Sequence, residues 1–571
     1  MSSAVASELL ACLQRLLPPA VDSRQQALLA DLVTALVEAL EQGELGLDLR
    51  GPAPPVLAPE SWPQDYLQVA QASGWLLPDA AADGLSSERS EPLVLDGQWL
   101  RWRRWHQQLQ QCLDQLVELA SSALEPGLSE PQREACCTQG LDPGQCAAVA
   151  AVLRHRLVLL RGGPGTGKTS TVVQMLAAAL QHQPQLQIHL AAPTGKAAAR
   201  LKAAVTAGAA ALPGPEAATL AELACTTLHR LLEASAGGRF GRGIRRPLAL
   251  DLLVVDELSM VDLPLMEALL QALPPQARLV LVGDDGQLPP VGIGAVLEEL
   301  CRPPRLAALG PAAVELQTTY RNNGAIATLA AALRRPLQPA LDPLVVLQPL
   351  LRQLQPSDNV QWLASDPAGL PEPLLARLRL QQQQLQQRAA VVQGWADGDG
   401  DGELDAATAS ACQALLDQLE QCIALTPIRH GRWGVAALHR ALLGETEAVP
   451  LQRWPLGTPV LNRLNRPEQG LANGDIGVLV QRGGERWVLF NGPRLVHPAR
   501  LGAAEPALAL TVHKAQGSQY NEVLLLLPPG RRSDPRLLYT GLTRARQRAV
   551  LITPPCDPAD DLAPTAANPS P

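Results

Sequence analysis

Residues 153–180 read LRHRLVLLRGGPGTGKTSTVVQMLAAAL. Three kinds of local order follow one another here. Leu157–Leu160 is an unbroken apolar run of the length of a strand buried on both faces, Gly162–Gly167 holds four glycines, and the Ala- and Leu-rich stretch from Lys168 favours a helix. Strand, glycine loop and helix in that order form the setting in which backbone N–H groups close around phosphates. Gly162, Gly163, Pro164, Gly165, Thr166, Gly167, Lys168 and Thr169 are therefore candidate nucleotide-binding residues. Lys168 would reach the β- and γ-phosphates of ATP, and the Thr169 hydroxyl could hold Mg²⁺.

The strand-then-loop rhythm returns at QIHLAAPTGKAAARL (187–201), LALDLLVVDELSM (248–260) and ARLVLVGDDGQLPPVG (277–292). Such repeats predict a parallel, doubly wound α/β sheet. A second set is expected from about Val314, ending in EVLLLLPP (522–529) and RAVLITPP (548–555), so two α/β domains should lie side by side. LLVVDE places Asp256 at the end of an apolar strand, where it could bind Mg²⁺, with Glu257 placed to orient or deprotonate the attacking water.

Lysine usage supports a phosphate chemistry. The chain has four lysines against 43 arginines, and three of the four fall in GGPGTGKT (Lys168), APTGKAAARL (Lys196) and TVHKAQGS (Lys514). A compact point charge is kept where phosphate is handled. The net charge of −8 gives no global attraction for nucleic acid, so DNA contact would run through a local channel. Ten scattered cysteines without a CxxC pair argue against zinc and disulfides and fit a cytoplasmic protein. No apolar run approaches a membrane span, so neither export nor membrane embedding is expected.

Ten strings follow in order: LDPGQCAAV (141–149), GGPGTGKT, APTGKAAARL, TTLHRLL (226–232), VVDELSM, LVGDDGQLPPVG, ELQTTYRNN (315–323), NGDIGVL (473–479), TVHKAQGSQ and LLYTGLTRARQR (537–548). The series resembles the superfamily 1 DNA helicases, and within them the RecD family, the alpha subunits of exodeoxyribonuclease V, over about residues 135–555. The resemblance implies two RecA-like parallel-sheet motor domains, 135–310 and 311–456 with 506–556. It also implies a small helical N-terminal partner-docking domain over 1–125 and a β-rich (SH3-like) insertion over 457–505; the Pro, Ala and Asp composition of 557–571 marks a disordered tail.

Through the same resemblance Gln145 would recognise adenine, Gln287 would sense the γ-phosphate, and Arg321 and Arg544 would be arginine fingers acting with Lys168, Asp256 and Glu257. A DNA track would comprise Thr194, Lys196, Arg200, Thr227, His229, Asn473, Thr511, His513 and Lys514, following the phosphate backbone rather than reading sequence. The implied function is an ATP- and Mg²⁺-dependent 5′-to-3′ DNA helicase subunit in a heterotrimer with RecB-like and RecC-like subunits, acting on single-stranded and double-stranded DNA ends in break repair. A stand-alone RecD-like helicase and a non-unwinding ATP-gated DNA-binding subunit are the alternatives. The first usually carries a longer DNA-binding N-terminal region, and the second would go with damaged motifs.

Three stretches carry weaker signals. GGRFGRGIRR (237–246) could be a strand-separating pin or a plain flexible loop. Asp397, Asp399, Asp401 and Gly402 mimic the start of a calcium loop whose twelfth position, Thr408, lacks the required Glu, so a solvated acidic loop is expected. PLVLDGQWLRWRRW (92–105) reads as a hairpin leading to a helix that ends near Ser121; its Trp and Arg residues suit either a docking face or a small core.

Overall fold

The computed structural model describes residues 2–19, 21–77, 91–122, 124, 140–235, 237–320, 324–335, 342–392, 406–445, 449–530 and 533–555. Four sheets organise them. The N-terminal sheet has the order β1-β4-β3-β2, built from β1 (Gly46–Asp48), β2 (Leu76–Leu77), β3 (Leu93–Asp96) and β4 (Trp99–Trp102). The expected hairpin is β3–β4, with Asp96 opposite Trp99 and Gly97 at φ +57°, a left-handed turn position that glycine takes without strain.

The first motor sheet is six-stranded and parallel: β5 (Leu157–Gly162), β6 (Ile188–Ala192), β7 (Cys225–Thr227), β8 (Leu252–Val255), β9 (Arg278–Gly283) and β10 (Ala313–Leu316), in the order β10-β5-β9-β8-β6-β7. Every residue of β5, β8 and β9 is buried, as unbroken apolar runs between two helical layers must be. β10 corrects an expectation. Val314 does not open the second set, because Ala313–Leu316 pairs in parallel with Leu159–Gly162 and closes the first sheet's edge. A short apolar run after a helix looks the same whichever sheet it joins; the choice is made by the free edge of β5.

The second motor sheet is β11-β20-β19-β12-β18, again parallel: β11 (Val360–Ala364), β12 (Cys422–Thr426), β18 (Ala509–Thr511), β19 (Tyr520–Leu526) and β20 (Ala545–Thr553). Between β12 and β18 the chain makes an antiparallel five-stranded insertion, β13 (Pro459–Asn462), β14 (Ile476–Arg482), β15 (Glu485–Phe490), β16 (Arg494–Val496) and β17 (Ala504–Pro506), in the order β16-β15-β14-β13-β17. The glutamine-rich run lies in the helix Glu372–Val391, where Gln381 and Gln418 bond to each other inside the packing against the helix Ala406–Leu419.

The N-terminal segment shares a core with the first motor. Its helix Arg103–Ser121 places Leu109, Cys112, Leu113, Leu116, Leu119 and Ala120 in the same buried cluster as Leu157, Leu159, Leu279 and Leu281 of the first motor sheet. The Trp/Arg run points largely inward. Trp75 and Trp102 fill the N-terminal core and Trp105 packs against both cores, while Arg101, 1% exposed, binds Glu299 at 2.7 Å. The expected acidic loop at 397–402 lies outside the described residues; Thr408 sits in the helix Ala406–Leu419.

Candidate nucleotide and nucleic-acid sites

In the first motor β9 lies between β5 and β8, so the carboxyl ends of these three adjacent parallel strands emerge side by side. That edge is where open α/β sheets bind ligands. It gathers the phosphate loop after β5, Asp284–Gln287 after β9, and Asp256 and Glu257 after β8.

The loop geometry requires its glycines. Gly165 and Gly167 have φ of +77° and +80°, and a Cβ on Gly162 would stand 2.6 Å from Thr166 Oγ1. Gly167 leads directly into the helix Lys168–His182, whose positive dipole end faces the loop. Lys168 Nζ donates to the carbonyls of Gly162 (2.6 Å) and Gly163 (2.9 Å), keeping its charge over the cradle. Pro164 and Thr169 are part-exposed at its rim.

Burial first, and then the neighbouring Glu257 carboxylate, push the Asp256 carboxyl up to about 6. Two carboxylates crowded at the end of a buried strand favour a cation, and Asp256 with the Thr169 hydroxyl offers the hard oxygens Mg²⁺ prefers. Glu257 adopts a left-handed backbone, φ +53°, and its N–H donates to Asp256 Oδ1 at 2.9 Å. A non-glycine residue held there stores strain, a feature that clusters at functional sites.

Gln145 is buried, and its side-chain oxygen accepts from the Asp142 N–H in a reciprocal helix cap. Sequence reasoning read only the arginine in TTYRNN and passed over Tyr320. Its N–H donates to the Gly165 carbonyl (2.8 Å), its hydroxyl to Asp142 (2.7 Å), and its ring lies over Gly167. Arg321 itself lies outside the described residues. Arg544 is buried in the second motor, donating to the carbonyls of Thr540 and Ser518 at 3.2 Å.

The other loops face a cleft of about 1100 Å³ between the motors and the insertion, lined by Thr194, Lys196, Thr227, His229 and Asn473 among others. Thr194 caps the helix Gly195–Ala209 and Thr227 caps the short helix Leu228–Leu231, so two helix N-termini border the cleft. Lys196 stands 5.2 Å from the Tyr520 ring centre; burial above all brings its amine down to about 8. A smaller adjoining pocket joins Thr194, Lys196 and Asn473 to His513 and Lys514. The fourth lysine, Lys202, is structural, bonding the carbonyls of Ala221 and Leu223.

Three expected track residues differ in setting. Arg200 is turned away from a free phosphate path: Nη1 donates to the Gly517 carbonyl of the second motor at 2.9 Å. It shares a helical face with Lys196 one turn earlier, but the second motor covers it. Lys514 is paired with Glu505, which also binds Arg429 at 2.9 Å. Burial would raise the Glu505 carboxyl, yet those cations hold it below its usual range. Thr511 uses its hydroxyl to accept from the Lys514 N–H. Residues 237–246 form a tight turn bridged between Gly243 and Arg246, with Arg242 and Arg246 paired to Glu233, rather than paired hairpin strands.

Two parallel-sheet domains, a phosphate loop on one and a cleft of helix N-termini between them, define an ATP-driven motor on nucleic acid. Residues 145–293 match the AAA domain family and residues 506–552 the UvrD-like helicase C-terminal domain family. The chain belongs to the RecD family and is an ATP-dependent DNA helicase of that family, whose work is DNA repair and recombination. It is 36% identical over 544 residues to the RecBCD enzyme subunit RecD of Mycolicibacterium smegmatis, covering 91% of this chain and 89% of that one. It is 31% identical over 427 residues to the ATP-dependent RecD2 DNA helicase of Deinococcus radiodurans, covering 72% of this chain and 48% of that one. The solved structure of Bacteroides Pif1 bound to ssDNA covers 72% of this chain and 92% of its own, at 15% identity and a TM-score of 0.38. Among the described residues no helix is long and apolar enough to cross a membrane.

Proposed function

We propose that this chain is the 5′-to-3′ helicase subunit of a complex with RecB-like and RecC-like subunits that processes double-strand DNA ends in the cytoplasm. The observation that carries this is the reach of the likeness within this chain: 91% of it, at 36% identity, aligns with a RecBCD subunit, against 72%, at 31% identity, with a stand-alone RecD2 helicase. In this reading Lys168 and the loop N–H groups bind the ATP phosphates, and Glu257 takes the proton of the attacking water. Thr169 and Asp256 would hold Mg²⁺, which neutralises charge on the phosphates. Gln145, through its amide nitrogen, and the Tyr320 ring border the base side of the loop. Arg321 and Arg544 act as arginine fingers, Arg544 from the second motor, so hydrolysis depends on how the motors sit together. Thr194, Lys196, Thr227, His229 and Asn473 grip the strand from the first motor and the insertion, while Thr511 and His513 do so from the second motor and Lys514 reaches it by exchanging Glu505 for a phosphate.

The test uses forked and tailed duplexes. The expected outcome is unwinding from a 5′ tail, with co-purification of two larger subunits from the native host. Unwinding only from a 3′ tail overturns the polarity, and migration as a lone active monomer favours the stand-alone reading.

A further inference from the structure

Asp284 receives hydrogen bonds from both motors. Its Oδ1 accepts from the Gly286 N–H at 3.1 Å. Its Oδ2 accepts from Gln287 Nε2 at 3.2 Å and from the Tyr539 hydroxyl, which arrives from the second motor, at 2.8 Å. All three side chains are buried, and Gln287 Oε1 has no hydrogen-bond partner among the described residues. The Tyr539 hydroxyl also borders the phosphate loop, 3.3 Å from where a Cβ on Gly163 would stand, and its ring packs against Gly286. Next along the helix Pro535–Leu542, Thr540 Oγ1 accepts from the Leu288 N–H at 2.9 Å, so two successive side chains of the second motor hold residues 284–288.

Gln287 turns its amide nitrogen to the accepting Asp284 oxygen, and its own oxygen is the atom left over. A phosphate oxygen also accepts. Gln287 can meet the γ-phosphate only if Nε2 leaves Asp284, and leaving a buried carboxylate oxygen without a donor is costly. The Tyr539 hydroxyl on the same oxygen removes that cost.

We propose that Tyr539 is a positioning residue for Gln287: when the motors close, its hydroxyl satisfies Asp284 and releases the Gln287 amide toward the nucleotide. This rests on the reading of Gln287 as the γ-phosphate sensor. Tyr539→Phe deletes the hydroxyl and keeps the ring against Gly286. In the full chain with saturating single-stranded DNA, kcat for ATP should fall about ten-fold while KM for ATP stays within about two-fold, because an interaction that matters at closure is lost. Gln287→Ala should lower kcat at least as far, and adding Tyr539→Phe to it should change nothing more.

Assays run well below each variant's unfolding midpoint separate this from a loss of packing, which would move the midpoint and not kcat. Normal kcat in Tyr539→Phe with an impaired Gln287→Ala overturns the role of Tyr539. So does a double variant whose defect equals the product of the single ones. Normal turnover in Gln287→Ala overturns the sensor reading beneath it.

Discussion

Arg200 Nη1 donates to the Gly517 carbonyl at 2.9 Å across the cleft, and Gly517 itself packs so close that a Cβ there would meet Thr194 Oγ1 at 3.3 Å. Burial lowers the proton affinity of the Arg200 guanidinium, and the Glu257 carboxylate offsets part of that, so Arg200 stands within electrostatic reach of the ATP site. A residue placed between the two motors should act on turnover more than on grip. Arg200→Ala is expected to lower DNA-stimulated kcat about ten-fold or more while changing single-strand Kd less than Lys196→Ala does. Paired ATPase and fluorescence-anisotropy titrations measure both; equal loss of affinity in the two variants would return Arg200 to the DNA track.

Lys168→Ala and Glu257→Gln should each reduce DNA-stimulated ATP hydrolysis about a hundred-fold or more, the usual cost of removing a positioned charge from a phosphoryl-transfer site. Both variants should keep the wild-type circular dichroism spectrum. Near-normal steady-state turnover in either one removes that residue from the catalytic set.

The left-handed backbone at Glu257 makes a separable prediction. Glu257→Gly relieves the φ +53° strain and the repulsion from Asp256, and these gains outweigh the glycine's extra freedom in the unfolded chain. Stability of the first motor should rise by about 1 kcal/mol as turnover disappears. Denaturant melts of the two proteins decide it, and a lower midpoint for the variant would show that the backbone there is unstrained.

The phosphate loop and the Asp256–Glu257 pair were legible because their chemistry is local: a few consecutive residues at the end of a buried strand fix both conformation and neighbours. What depended on a distant edge was not. The side chain of β10 that reveals its sheet, Glu315, meets Arg161 of β5 at 3.4 Å, a pairing no window of sequence contains. Arg200 and Lys514 carry the letters of phosphate ligands, and only the folded chain shows that Gly517 and Glu505 hold them. Tyr320 and Tyr539 stand inside TTYRNN and LLYTGLTRARQR, whose arginines carry the sequence signal, while the structure uses both tyrosine hydroxyls as donors.

Lys196 gives the cleft a pH dependence. Its amine lies near 8, lowered first by burial and then by Arg200 and Arg546, with Glu420 and Asp475 acting in the opposite direction. The cation is present below that value and lost as pH rises through it. A bound phosphate favours the charged form, so binding takes up a proton and weakens with rising pH. Between pH 7 and 9 the Kd for single-stranded DNA should increase about five- to ten-fold at fixed salt. Lys196→Arg stays charged throughout and should flatten the profile; an equally steep profile in that variant assigns the proton to another group.

The helix Arg103–Ser121 supplies the last test, because its buried face belongs to the first motor's core. Leu113 and Leu116 are 2% and 0% exposed, and truncating either leaves a cavity in packing shared with Leu159 and Leu281. Leu113→Ala and Leu116→Ala should each cost about 2–5 kcal/mol, the range for buried leucines that cannot be refilled. Removing residues 1–125 should therefore yield an insoluble or inactive motor rather than an active one that merely fails to bind partners. Arg104 contrasts with these leucines: it is exposed on the same helix and contacts the Trp105 ring 5.8 Å away. Its replacement by Ala should leave stability within about 0.5 kcal/mol. Chemical denaturation of the three point variants, with ATPase assays on the truncated chain, checks the argument. A soluble truncation with full DNA-stimulated turnover would mean that the helix rests on the motor without supporting it.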